Sequence, residues 1–163
     1  MTSRADFDDD DWIVTAAARM IAGAVVSVAD DVGKGRTSEE DELAAFFDSF
    51  HKMAKKYSES DVVLEVMETL NSRHQLDRKD LDAVFDFNLS QIDKPKERMQ
   101  RVADAVDLAE RTAGMDDVTA CKGFIYDTAE VEANASKEST MPFAERISSS
   151  EAFHLRQLRD ILK

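Results

Sequence analysis

Apolar residues return every three or four positions along almost the whole of this 163-residue chain, and no run of apolar–polar alternation is long enough to make a half-buried strand. That period is the repeat of one helix face, so the chain reads as all-α, a compact bundle of about seven helices. Its punctuation agrees. Five Gly and two Pro are too few for a β-sandwich, which needs turn residues about every ten positions. The length suits one ordinary domain that can bury a core without staples. Residues 1–163 are therefore read as a single domain, with an acidic N-terminal tail over 1–9 and a linker over 134–147 before the last helix.

The first helix is expected over residues 10–31. Its aspartate-rich start suits the positive end of a helix dipole. Ala16-Ala17-Ala18 and Ala22-Gly23-Ala24 give it a surface that neighbours can approach closely, so it reads as the central helix. Gly33 and Gly35 break it. Thr37 and Ser38, followed three residues on by Glu40 and Asp41, open a second helix with a stripe of Leu43, Phe46, Phe47, Phe50, Met53, Ala54 and Tyr57. Asp48, Lys52, Lys55 and Lys56 take its solvated face.

Ser60 caps a third helix that turns Val63, Val66, Met67 and Leu70 inward, and Asp77 caps a fourth with Leu81, Val84, Phe85, Leu89 and Ile92. Pro95 begins a fifth, carrying Met99, Val102, Val106 and Ala109. Gly114 ends it. A sixth helix starts at Asp116 or Asp117 and uses Val118, Cys121, Phe124, Ile125 and Thr128. Ser148 and Glu151 form a capping box before the final helix, which bears Leu155, Leu158, Ile161 and Leu162.

Charge excludes several function classes. The chain has 34 acidic against 21 basic residues, a net charge of −13, which is the wrong sign for phosphate backbones. Nucleic acid is not an expected partner. The single cysteine, Cys121, rules out an internal disulfide framework and a cysteine-based zinc site. The most apolar segment, 13–29, is shorter than the roughly 20 residues of a membrane span and contains Arg19. The N-terminus carries Asp6 and Asp8 to Asp11 instead of the basic start of a secretory signal, so a cytoplasmic location is the default reading.

The acidic turn between the first two helices is the leading site candidate. Asp30 and Asp31 end one helix and Glu39 to Glu42 begin the next, a clustering that can converge on a hard cation such as Ca²⁺ or Mg²⁺. Two readings stay open, because Lys34 and Arg36 can neutralise the same aspartates, and glutamates in a first turn are ordinary. The turn is not an EF-hand: counted from Asp30, Gly35 falls at position six, but Val32 and Lys34 fill positions three and five.

A second candidate is the carboxylate-x-x-His pair of di-iron bundles, present as Asp48/His51 and Glu151/His154. The central helix offers no carboxylate between Trp12 and Ala29 to complete such a site, and His154 sits beside Leu158 and Ile161 as a residue bordering the core. His74 lies near a helix end, where it suits the dipole. Cys121 reads as inert packing. Gly33-Lys34-Gly35 lacks the spacing of a phosphate loop. Met20, Met53, Met67, Met99 and Met115 fall on or near core stripes and require no cofactor.

The helix Ala16–Ala29, its run into Asp30-Asp31, a glycine turn and a Thr/Ser-Glu-Glu helix start resemble the TerB-like (tellurite resistance) domains. A fainter echo follows in residues 102–110, Thr112-Ala113-Gly114 and Asp116-Asp117. The resemblance covers residues 12 to 133 as pattern and implies two pseudo-symmetric helix pairs. It also implies an acidic, metal-associated surface to which Asp30, Asp31, Glu39 and Glu42 correspond. The chain departs from the pattern where Val32-Gly33 follows the aspartates, where Lys34 and Arg36 intrude, and where Glu110 and Lys122 stand in the second turn.

The expected function is then that of a non-enzymatic bacterial stress-response domain. It would work by association, presenting its acidic surface to a divalent cation or to a protein partner of unknown identity. The alternatives are a helical interaction module of another family and a di-iron carboxylate enzyme.

Overall fold

A computed structural model describes residues 2–28, 52–74, 95–135, 147 and 149–163. Of these, 86% are helical and none is in a strand, so the all-α reading holds. The elements are a 3-10 turn, Arg4–Asp6, followed by α1 (Asp9–Val28), α2 (Asp61–His74), α3 (Pro95–Thr112), α4 (Met115–Ala135) and α5 (Ser149–Ile161). Residues 52–56 are also helical. The expected helix over 77–92, most of that over 37–57, the first helix beyond Val28 and most of the 134–147 linker lie outside the described residues.

Local chemistry sets the helix starts. The Asp8 carboxylate accepts the Asp11 N–H at 2.8 Å, and its carbonyl accepts the first ladder bond from Trp12 at 2.9 Å, so Asp8 is the N-cap of α1. Ser60 caps α2 as its sequence position predicts: Val63 N–H donates to Ser60 Oγ at 3.4 Å. Proline opens α3, where its missing N–H costs nothing. Gly114 separates α3 from α4, and its carbonyl accepts the Val118 N–H at 2.9 Å, so it also serves as the N-cap of the next helix.

The centre is α1. It packs most extensively on α3 and α4 and also touches α2 and α5. Trp12, Ala16, Ala18, Ile21 and Ala22 are buried along it, and the alanines let α3 and α4 come close. The inward stripes of α3 (Met99, Val102, Val106, Ala109) and α4 (Val118, Cys121, Phe124, Ile125, Thr128) are buried as the spacing requires. Each large apolar side chain so buried contributes about 1.5–3 kcal/mol. The hydroxyls of Thr15 and Thr128 are satisfied within their own helices, by Asp11 O at 3.0 Å and Phe124 O at 2.8 Å.

Two expectations need revision. Met115 is 84% exposed and packs in no core stripe, because it is the first residue of α4 and points outward one turn before Val118 and Cys121 face in. Residues 2–8 are acidic, but they are not a free tail. Thr2 and Phe7 are buried, and the Phe7 ring meets Trp12 edge-on at 5.5 Å.

No described helix is long and apolar enough to cross a membrane.

Candidate functional site

The four carboxylates singled out from the sequence, Asp30, Asp31, Glu39 and Glu42, lie outside the described residues, as do Asp48 and His51. The second acidic turn, between α3 and α4, is described. Two of its carboxylates, Glu110 and Asp117, are already engaged. Glu110 is paired with Lys122 at 2.6 Å, so the two residues that depart from the family pattern neutralise one another across the turn. Asp117 is committed elsewhere: its carboxylate accepts the Thr2 N–H at 3.0 Å and the Ser60 hydroxyl at 2.9 Å. The Gly114 N–H in turn donates to Thr2 Oγ1 at 3.0 Å. Burial alone would raise the Asp117 carboxyl, but the hydrogen bonds from Thr2 and Ser60 outweigh it and hold the group below the ordinary carboxylate range. This turn is a structural junction.

Among the described residues, no group of three or more His, Cys, Asp or Glu side chains is placed to hold a metal ion. The Glu151/His154 pair does not present itself as a ligand pair. Glu151 is fully buried, whereas His154 is half-buried, with Nδ1 3.3 Å from Gln157 Oε1 and its ring 5.4 Å from that of Phe153. Cys121 is buried among apolar side chains, and that burial, with the nearby Asp117 charge, pushes its thiol up to about 12. It stays protonated and unreactive at neutral pH.

A concavity among the described residues lies elsewhere. A groove of about 700 Å³ runs between the N-terminal turn and α2, with Ser3, Arg4, Phe7 and Asp9 on one wall and Glu65, Glu68 and Thr69 on the other. Three of its lining side chains are carboxylates and one is cationic. Arg4 is spent on both walls: its guanidinium meets Asp9 at 3.2 Å and its backbone N–H donates to the Glu65 carboxylate. Beneath the groove, Trp12 Nε1 donates to Thr69 Oγ1 at 3.3 Å. Asp6, Asp8 and Asp10 stand exposed beside it.

A second polar cluster fastens residues 52–57 to α4. Tyr57 Oη donates to Asp127 at 2.6 Å, Lys56 pairs with the same carboxylate, and the Tyr57 ring stacks edge-on against Phe124 at 5.9 Å. Tyr57 passes so close to α4 that a Cβ on Gly123 would lie 2.6 Å from its hydroxyl. Burial, then the Asp127 hydrogen bond, raise the phenol above its ordinary range, so it remains a donor.

Sequence reasoning missed the groove because its walls, joined by Arg4 and Glu65, are 61 positions apart and neither carries a motif. The aspartates of the N-terminal segment, Asp6, Asp8 and Asp9, read only as an acidic tail leading into the first helix. Compared with known families, curated proteins and solved structures, the chain finds no match.

Proposed function

We propose that this chain is a non-enzymatic association domain, TerB-like in its helical pattern, that presents an acidic surface to a cationic partner. What supports this reading is the groove beside α1, where Asp9, Glu65 and Glu68 face a single arginine on a chain of net charge −13. A rigid helical body keeps such carboxylates in place, and complementary charge speeds and selects encounter with a basic surface. The divalent-cation half of the reading belongs to Asp30, Asp31, Glu39 and Glu42. The association half belongs to the groove. The bacterial stress-response role follows only from the TerB resemblance.

The two halves are tested separately on the full chain. Calorimetric titration with CaCl₂ and MgCl₂ is expected to show binding that is lost in the D30N/D31N/E39Q/E42Q variant. Ion at about 100 times Kd would add about 2.7 kcal/mol of stability. No heat and no rise in melting temperature at millimolar ion removes the cation half. For the groove, a fluorescent lysine-rich peptide is expected to bind more weakly as salt rises and more weakly still to E65Q/E68Q. Equal binding by the variant and the parent removes the groove as the association surface.

A further inference from the structure

We infer that residues 2–7 are a detachable strap, locked by Asp117, that closes over Trp12 and builds one wall of the groove. The strap is held at its two ends. At one end Thr2 is clasped by Asp117 and Gly114, with Ser60 completing the Asp117 carboxylate's partners. At the other, Phe7 covers Trp12, which is 1% exposed.

Between the ends, residues 3–6 turn back on themselves. Ser3 N–H donates to the Asp6 carboxylate at 2.8 Å, Asp6 N–H to Ser3 O at 3.0 Å, and Phe7 N–H to Arg4 O at 3.1 Å. These bonds are internal and survive detachment. Apart from the Arg4 N–H bond to Glu65 and the exposed Arg4–Asp9 ion pair, attachment therefore rests on one polar clasp and one ring. A segment that is satisfied internally and anchored at its ends opens as a unit at less cost than the core helices do.

The consequence is functional. Ser3, Arg4 and Phe7 are strap residues, so the groove exists only while the strap is closed. Opening of the strap is independent of what the groove binds and is read without a ligand.

Trp12 is the sole tryptophan, so its fluorescence reports the strap directly. In Asp117→Ala, Trp12 emission is expected to shift to the red and acrylamide quenching to rise several-fold, with the helical circular dichroism at 222 nm unchanged. Amide exchange at Arg4, whose N–H crosses from the strap to Glu65, should quicken about fivefold, the worth of the one strap hydrogen bond that the substitution removes. Thr2→Pro removes the same clasp from the other side, so it should reproduce these changes, and it substitutes as the test if Asp117→Ala does not fold. Asp116→Asn, an acidic residue of the same helical turn that touches no strap residue, should leave Trp12 shielded. Three results overturn the inference: Trp12 staying shielded in both clasp variants, Trp12 emerging only in step with loss of helical signal, or Asp116→Asn acting like Asp117→Ala.

Discussion

Helices α1 and α4 pack against each other at the centre of the molecule, and both open with consecutive aspartates, Asp9 to Asp11 and Asp116 to Asp117. At α1, Asp9 and Asp10 face water. Asp8 caps the helix, Asp9 meets Arg4, and Asp10 is exposed. At α4 one aspartate, Asp116, is equally exposed, while the next is turned inward and bonded to a residue 115 positions away. The same residue type in the first turn of two helices thus serves as a solvated charge in one place and as a tertiary fastening in the other. What separates them is whether a second segment brings N–H and O–H donors to the carboxylate.

Substitution at these sites should separate the two beginnings. The largest effect is expected from Asp117→Ala, which strands the Thr2 N–H and the Ser60 hydroxyl in a buried place. A loss of about 2–3 kcal/mol in urea unfolding is the expected result. Asp8→Ala removes a cap and should cost about 1 kcal/mol by the same measurement. Asp10→Asn and Asp116→Asn should stay within about 0.5 kcal/mol of the parent. An Asp116→Asn loss as large as that of Asp117→Ala would break the comparison.

Acid sharpens the same contrast. Because Asp117 titrates below its unfolded value, the folded state holds fewer protons there, and the stabilisation is fully present above about pH 4. It is lost as pH falls further, through the folded pKa. The stability gap between the parent and Asp117→Asn should therefore be constant from neutral pH down to about pH 4 and then close. A gap that does not narrow in acid would mean that the carboxylate charge is not what holds the junction.

Gly123→Ala probes the other fastening on α4. Alanine favours a helix by about 1 kcal/mol over glycine, but here its Cβ meets a tyrosine hydroxyl held by Asp127. The net change should be neutral to destabilising by about 1 kcal/mol, and more favourable in a Tyr57→Phe background. A double-mutant cycle without coupling would contradict the close approach.

The helix stripes were legible because each is a local repeat: once Val118, Cys121, Phe124, Ile125 and Thr128 are written three and four apart, one face must go inside. Helix starts were legible for the same reason at Ser60 and Pro95, whereas Gly114, which reads as the end of one helix, also caps the next, and that helix begins at Met115 instead of Asp116 or Asp117. Met115 was misplaced because its spacing fits the stripe although its position, before the helix has completed a turn, does not. The role of Asp117 could not be read at all. An acid in a first turn looks ordinary, and its partners Thr2 and Ser60 belong to other parts of the chain. The groove was hidden for that reason too: Arg4 and Glu65 come together only after α1 and α2 have packed. The Glu110–Lys122 pair was visible as a departure from a family pattern, but only the geometry turns two departures into one compensated charge.

The position of α1 bears on the order of folding. During synthesis this helix is made well before α3 and α4, its two main neighbours among the described residues. Contacts so distant along the chain make for slow closure, even in a wholly helical protein. The nascent chain must therefore hold α1 without these two partners until more than half of the remaining sequence has emerged, and that interval is when a chaperone would matter most.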